Sequence, residues 1–441
     1  MIKVKHICYI SLIIFLFTSI FFQIKNFNND KIGKSMSHIN EASLQVVKNW
    51  NDYGIVNLRF NQFFPWHGGK ETEMISKEQN ETYKKFIFNC INSSHIFCPQ
   101  EDGGYGKLPY VSYPALGNIP LFFMQKTFPD KSLKQLNKLL LIFYYLFSSL
   151  LLSKIIYDFI KKNLKFDKNL KYILSLGVFL KFYLDNFLFV QFTTLWINET
   201  IETLFIVFVL YSRYLIHHKV NKKNLYLYSI SLLLFSFHNY LAYAYMFFDF
   251  LITITFVKKD IFVYIKTIIL TGLASLITNI SLLYYGMQGF SSLKKIFLRG
   301  SHINEIDQFK NESVLDIFLN SIILAKPLKL LILSGFIIIL VNFFFRNILK
   351  SKTMTVILPF YLTFFLFLFV FKQYHLSHDF FVIKFHILAI ISIIPFLVVY
   401  KRIYEKYKSE ILDSIIKIKN YLLLTFFYFY FYLEIKQLLI L

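Results

Sequence analysis

The residues of this chain that could carry chemistry lie in short polar segments between long apolar runs. They are mainly carboxylates, histidines, lysines and tyrosines, which transfer protons or hold phosphate groups in enzymes. The candidates are Asn40, Glu41, Lys107, Tyr110, Tyr113, Glu199, His238, His375, His378, Asp379 and Lys384. A carboxylate base beside phosphate-binding cations would suit the transfer of a group away from a phosphorylated donor.

Glu41 stands near the start of a segment with helical periodicity. Apolar residues at positions 42, 46, 47 and 50 share one helix face, which predicts an amphipathic helix lying on the membrane surface. At that depth Glu41 could act as a general base toward a membrane-bound substrate. The alternative is that Glu41 is a first-turn carboxylate that complements the helix dipole.

Further charged pairs occur at helical spacing within or beside the apolar runs. Glu199 and Glu202 are three residues apart and share a helix face. Either they belong to a functional site, or Glu199 lies at the interface, where a charge costs little. Lys181 and Asp185 are four residues apart, which predicts a neutralising ion pair inside a span.

Two other basic side chains stand near the ends of apolar runs. Lys384 follows Phe380 by one helical turn, and its side chain is expected to extend outward to the level of lipid phosphates. His238 lies between two apolar runs, where it either lines a cavity or is simply polar at the interface. His386 is deeper and is expected to pack inside the bundle.

The composition predicts that these groups are held by an all-α integral membrane protein. Of 441 residues, 56% are hydrophobic and 17% are charged, whereas a soluble fold needs more polar surface. A net charge of +22 is compatible with nucleic-acid binding in a soluble chain. Here the basic residues form short tracts between apolar runs, where they determine topology, so no nucleic-acid partner is expected.

The apolar runs predict about ten or eleven transmembrane helices in a single polytopic domain over residues 1–441. The first run, 7–23, is interpreted as a retained anchor because no small-residue cleavage site follows it. An extracytoplasmic loop over 24–136, carrying surface helices, separates it from spans two to seven at 138–284. A second loop covers 285–325, and the C-terminal spans occupy 326–441. The later runs are near 138–158, 173–192, 199–216, 224–238, 240–257, 262–284, 326–345, 353–371, 380–400 and 420–439.

The basic tracts predict the orientation of these spans. If the chain alternates sides from a cytoplasmic N-terminus, the tracts at 161–165, 217–223, 258–259, 346–352 and 401–408 all fall in the cytoplasm. The candidate residues then converge on the extracytoplasmic side. The sequence therefore predicts a multi-pass protein of the inner or plasma membrane with its chemistry at the outer face.

Cys90 and Cys98 are predicted to form a disulfide. Both lie in the long extracytoplasmic loop, close enough in sequence for a small hairpin bridge in an oxidising compartment. Mass spectrometry of non-reduced peptides from native membranes should detect the Cys90–Cys98 crosslink. Recovery of both residues as free thiols from an oxidising compartment would contradict the prediction.

The ordered set of motifs resembles the GT-C glycosyltransferases, membrane enzymes that use polyprenyl-phosphate sugars and include the aminoarabinose and protein O-mannosyl transferases. Asn40-Glu41 resembles their Asp-Glu motif, and the segment 113–117 (Tyr-Pro-Ala-Leu-Gly) resembles their Tyr-Pro-Pro-Gly. The segment 195–199 resembles the acidic site that begins their fourth span. The segment 375–381 resembles the histidine-rich run before a late span with an internal proline, here Pro395.

The resemblance implies an inverting transfer of a sugar from a polyprenyl-phosphate donor to a lipid, glycan or protein acceptor. Glu41 or Glu199 would be the base. Lys107, His375, His378 and Lys384 would bind the donor phosphate, and Asn40, Tyr110, Tyr113, His238 and Asp379 would line the substrate cavity. No metal is required, although some members of the family use divalent cations. Since Asn40 replaces the family's first acid, the catalytic pair is reduced to Glu41.

Two other functions share some of these features. A polymerase or ligase of surface glycans has similar spans and outer loops but different motifs. A transporter or flippase usually has paired halves and polar residues at mid-membrane, whereas the polar residues here cluster at one face. The sugar, the acceptor and the carrier lipid do not follow from the sequence.

Overall fold

The predicted all-α architecture is confirmed in a computed structural model, which describes residues 4–27, 37–58, 115–185, 197–257, 260–287, 326–345, 351–370, 382–407 and 410–440. All regular secondary structure in these segments is helical. The helices are α1 (Val4–Phe27), α2 (Ser37–Tyr53), a 3-10 helix (Ala115–Asn118), α3 (Ile119–Thr127), α4 (Leu133–Asn163), α5 (Leu170–Tyr183), α6 (Ile197–His218), α7 (Lys222–Ser236), α8 (Leu241–Phe256), α9 (Ile261–Met287), α10 (Lys326–Phe345), α11 (Ser351–Val370), α12 (Val382–Ile391), α13 (Ile393–Lys406) and α14 (Glu410–Ile440).

Every predicted apolar run overlaps one of these helices, and the run 380–400 overlaps both α12 and α13. Within the described segments, four helical stretches are long and apolar enough to cross a membrane, namely Val4–Phe21, Leu133–Asn163, Ile261–Leu282 and Lys384–Lys406. Three shorter apolar helices accompany them, at Leu241–Phe256, Pro327–Val341 and Val356–Phe367. The chain is therefore a membrane protein built from apolar helices.

Several of the basic tracts lie together at one end of the helix bundle. The carboxylate of Asp167, in the turn between α4 and α5, accepts hydrogen bonds from Lys419 at 2.9 Å, Asn420 at 3.0 Å and Tyr400 at 3.2 Å. These contacts join the α4–α5 turn to the end of α13 and the start of α14. We call this the basic end, and it comprises residues 160–172, 214–224 and 400–420.

The ends of other helices meet at the basic end in the same way. Lys162 lies 5.2 Å from the ring centroid of Tyr214, which joins the end of α4 to the end of α6. The hydroxyl of Tyr264, near the start of α9, donates to the Ile216 carbonyl at 3.0 Å. Among the described residues, the predicted basic tracts at 161–165, 217–223 and 401–407 therefore lie at one end of the bundle.

The opposite end carries α2. Val47 and Trp50 of this helix are fully buried against Leu121 and Phe122 of α3 and the first turns of α4, and the rings of Trp50 and Phe122 meet edge to face at 6.1 Å. The apolar stripe is thus covered by protein rather than lying on the membrane surface as predicted, because α3 and α4 offer it an apolar face. We call this the α2 end, and it comprises residues 37–58, 115–140, 197–205, 236–243 and 382–385.

Local sequence signals explain how α4 begins at the α2 end. The Ser132 hydroxyl accepts from the Gln135 amide at 3.2 Å, and the Gln135 side chain accepts from the Ser132 amide at 3.3 Å. This capping box satisfies two donors that a helix start leaves unpaired. It fixes the residue at which helix α4 begins. With 31 residues, α4 is long enough to reach the basic end, about 45 Å away.

Helices α12 and α13 form one apolar run that breaks at Ser392 because of Pro395. Proline has no amide hydrogen, so the carbonyl of Ile391, four residues earlier, loses its helical donor. Helix α10 packs closely against this break because it has a glycine there. A Cβ added to Gly335 would meet the Tyr361 hydroxyl at 2.6 Å and the Ser392 Cβ at 3.0 Å. This contact fixes α12, which carries Lys384.

The predicted ion pair between Lys181 and Asp185 is confirmed at the end of α5. Lys181 also donates to the Tyr430 hydroxyl at 3.2 Å and lies over the Tyr430 ring. The pair therefore contributes to the contact between α5 and α14. Cys8 of α1 is buried in the main apolar cluster of the bundle.

Candidate functional site

A buried ion pair joins α6 to α12 at the α2 end. Glu202 lies one turn into α6, beside Ile201, which packs into the apolar cluster beneath α2. Lys384 lies in the first turn of α12. The Lys384 Nζ is 3.0 Å from the Glu202 Oε2, and the exposed fractions of the two side chains are 2% and 0%.

The charges of Glu202 and Lys384 neutralise each other inside the bundle. A single buried charge in an apolar environment is strongly unfavourable, whereas a close pair recovers much of the lost hydration. The Lys384 ammonium also lies 4.9 Å from the ring centroid of Phe367 on α11. The contact with Glu202 is not aligned as a hydrogen bond, so both Glu202 oxygens lack a hydrogen-bond donor among the described residues.

His238 supplies a second buried polar group at the α2 end, in the turn between α7 and α8. Its Nδ1 donates to the Leu234 carbonyl at 2.6 Å, which leaves Nε2 as the acceptor nitrogen of a neutral ring. Within the described part of the chain, Nε2 has no hydrogen-bond partner. The ring packs 4.6 Å from Phe205, which follows Glu202 by three residues on the same face of α6.

Together these groups place hydrogen-bond acceptors and a cation at one end of the bundle. The Glu202 oxygens and His238 Nε2 are acceptors, and the Lys384 ammonium is a donor whose charge Glu202 balances. All three side chains are enclosed by protein, with exposed fractions of 5% or less.

The structure brings some of the predicted site residues to one end of the bundle. Asn40 and Glu41 are the fourth and fifth residues of α2, so Glu41 lies just past the first turn, whereas Glu199 lies in the first turn of α6, three residues before Glu202. Their side chains are outside the described structure. Lys384 and His238 lie at the same end with described side chains.

The side chain of Lys384 does not point in the predicted direction. It was predicted to extend outward to the level of lipid phosphates, but its side chain is enclosed by protein. The reason is Glu202, whose buried carboxylate attracts the ammonium inward. His386, two residues further along α12, is buried as predicted.

Several predicted residues fall outside the described residues. They are the phosphate-binding candidates Lys107, His375 and His378, the cavity candidates Tyr110, Tyr113 and Asp379, and the predicted disulfide partners Cys90 and Cys98. Their assignments stay predictions.

A second buried ion pair was not predicted. Arg213 of α6 lies 2.8 Å from Asp249 of α8, with exposed fractions of 1% and 0%. Arg213 also donates to the Thr253 hydroxyl at 2.9 Å, and Asp249 accepts from the Tyr228 hydroxyl. Because Arg213 follows Glu202 by eleven residues, about 16 Å along the helix, this pair is separate from the cluster at the α2 end. Its sequence signal was a charge deep inside each of two apolar runs, at positions 213 and 249.

The described residues contain no group of three or more metal-ligating side chains. No known protein family matches the chain, and a comparison with characterised proteins finds no relative.

Proposed function

We propose that this protein is a multi-pass membrane glycosyltransferase that transfers a sugar from a polyprenyl-phosphate donor to an acceptor at the extracytoplasmic face. The observation that carries the proposal is the set of ionisable side chains buried at the α2 end, Glu202, Lys384 and His238, since such groups inside an apolar bundle mark functional sites. They lie at the same end of the bundle as α2, whose fifth residue is Glu41.

The division of the bundle into two chemically different ends supports the proposed orientation. The basic tracts between α4 and α5, and between α13 and α14, meet through Asp167 and Lys419, and lysine-rich loops favour the cytoplasmic side. The α2 end would then face outward, where a lipid-linked donor presents its headgroup after it has crossed the membrane.

The proposed reaction needs a base and an anion-binding group. Glu41, or Glu199 in its place, removes the proton of the acceptor hydroxyl, whose oxygen attacks the anomeric carbon of the sugar. The bond from that carbon to the phosphate oxygen breaks, and polyprenyl phosphate leaves with its electron pair. Lys107, His375 and His378 stabilise the charge that develops on the phosphate, and the buried Glu202–Lys384 pair holds α12 against α6.

The proposal is tested by a transfer assay on the purified full-length chain in liposomes. Active protein is expected to release polyprenyl phosphate from a labelled sugar donor and to place the label on an acceptor. A transporter or flippase is the second candidate, because the Arg213–Asp249 pair is a polar centre inside the bundle of the kind that transport pathways use.

Topology is a separate prediction. In a variant whose native cysteines are replaced by serine, single cysteines at Ser377 and Lys165 should react with a membrane-impermeant thiol reagent from opposite sides. The reason is that 372–380 precedes α12 at the α2 end, whereas Lys165 lies at the basic end. A cysteine at Lys222, also at the basic end, is the matched control and should label from the same side as Lys165. Labelling of Ser377 and Lys165 from one side would contradict the proposed orientation.

A further inference from the structure

Three tyrosines from three helices form a continuous aromatic surface at the basic end. Tyr172 of α5 contacts Tyr9 of α1 edge to face, with ring centroids 5.8 Å apart, and Tyr157 of α4 at 5.7 Å. Tyr9 keeps 45% of its surface exposed. We call these residues the tyrosine triad, and they lie at the perimeter of the bundle rather than in its core.

Lysines from the same three helices surround the tyrosine triad. The Lys171 Nζ lies 5.0 Å from the Tyr172 centroid and 5.7 Å from that of Tyr157. The Lys5 Nζ lies 5.7 Å from the Tyr9 centroid, and Lys154 lies 5.5 Å from that of Tyr157. Cations over aromatic faces are individually favourable, but three like charges around one surface repel each other.

The carboxylates nearby neutralise only the charge of Lys154. Asp158 pairs with Lys154 at 2.7 Å, and Asp167 is engaged by Lys419. Within the described segments, Lys5 and Lys171 form no ion pair with a carboxylate. The adjoining Lys161, Lys165 and Lys168 add further positive charge. An anion bound beside the triad would remove this excess.

The face of α1 that continues from the triad indicates what kind of anion fits. Lys5, Tyr9, Ile13 and Phe17 follow each other at intervals of four residues, so they form one stripe along α1. Ile13 and Phe17 are 54% and 69% exposed. The stripe passes from a cation through an interfacial aromatic ring to an apolar surface, which matches a lipid from phosphate to acyl chain.

We propose that the surface formed by Lys5, Lys171 and the tyrosine triad is a binding site for an anionic phospholipid at the basic end. The phosphate lies against the two lysines, the glycerol region contacts the tyrosine rings, and an acyl chain runs along Ile13 and Phe17. This site is about the length of the bundle away from the cluster of Glu202 and Lys384, and it does not depend on the proposed transfer reaction.

Native mass spectrometry of the purified full-length chain tests this site by titration with dioleoylphosphatidylglycerol and dioleoylphosphatidylcholine. The wild-type chain is expected to bind the anionic lipid more tightly and to lose that preference as the salt concentration rises. The double variant Lys5→Gln/Lys171→Gln should bind phosphatidylglycerol roughly thirtyfold more weakly, since each lysine near a membrane surface contributes about fivefold.

The matched control is Lys222→Gln/Lys223→Gln, which removes two exposed charges from the start of α7 at the same end. It should change the affinity less than about threefold, because those lysines lie outside the triad and contribute only through screened, longer-range attraction. Gel filtration and thermal unfolding establish that both variants fold. Equal affinity for the two lipids, an equal loss in the control variant, or equally tight binding of the soluble glycerophosphoglycerol headgroup would each overturn the proposal.

Discussion

Replacement of Glu41 by glutamine is expected to reduce sugar transfer by about 100- to 10,000-fold, the usual cost of losing a general base. The substitution keeps the size of the side chain, so folding and helix α2 should change little. A first-turn carboxylate that only complements the helix dipole is worth about 0.3–1 kcal/mol. The rate of label transfer and the unfolding temperature, measured on the same preparation, separate the two roles.

Glu410→Gln is the matched control for Glu41→Gln. Glu410 also begins a helix, α14, but lies at the basic end, so its loss should leave the transfer rate near that of the wild type. His378→Ala should instead weaken use of the donor, as expected for a phosphate-binding residue. Near wild-type turnover of Glu41→Gln would make Glu41 structural and would move the proposed base to Glu199.

The second large effect is a loss of stability, which is expected when the buried Arg213–Asp249 ion pair is broken. Asp249→Asn removes the charge but keeps a partner for the Tyr228 hydroxyl, so the Arg213 guanidinium is left buried without a counter-charge. Breaking a buried ion pair in this way costs about 3–5 kcal/mol. A large fall in the yield of folded protein and in its unfolding temperature in detergent should follow.

The neutral double variant Arg213→Gln/Asp249→Asn should recover most of the lost stability, because neither charge remains buried alone. The exposed pair on α13 is the control, and Lys401→Gln should cost about 1 kcal/mol or less since solvent can hydrate Glu405. If Asp249→Asn were as stable as the wild type, the pair would not stabilise the bundle. A stable double variant with normal sugar transfer would exclude a transport role for the pair.

The sequence predicted the helices well because a membrane imposes a simple pattern. A span must be long, apolar and internally hydrogen-bonded, so runs such as 326–345 coincide with helix α10. The basic tracts also predicted which helix ends lie together, as the contact between Asp167 and Lys419 illustrates. That contact itself was not predicted, because both residues appeared only as members of polar segments.

Partners within the bundle were harder to predict than helices. Glu202 was recognised as a charge near the end of an apolar run, and Lys384 as a cation near the end of another, but nothing in the sequence pairs them. Their contact depends on how α6 and α12 pack across the bundle, a long-range property without a local pattern. The same applies to Arg213 and Asp249, although a charge inside an apolar run does indicate that a partner exists.

The apolar stripe of α2 shows a second feature that the sequence could not predict, namely what covers a buried helix face. Its periodicity predicted an amphipathic helix, and the helix is present, but the same stripe can face lipid or protein. Burial of Trp50 against Phe122 depends on α3, which is too short to span a membrane and returns beneath α2. The pattern alone therefore indicated that a face was buried and not what covered it.

The most direct test of the proposed function follows one labelled donor in liposomes that contain the purified wild-type chain. Two quantities are measured together: cleavage of the bond between sugar and polyprenyl phosphate, and movement of the intact donor between leaflets. A glycosyltransferase should cleave the donor and place the label on an acceptor, and Glu41→Gln should lose that cleavage. Movement of intact donor without cleavage, by wild type and Glu41→Gln alike, would contradict a glycosyltransferase and favour a transporter.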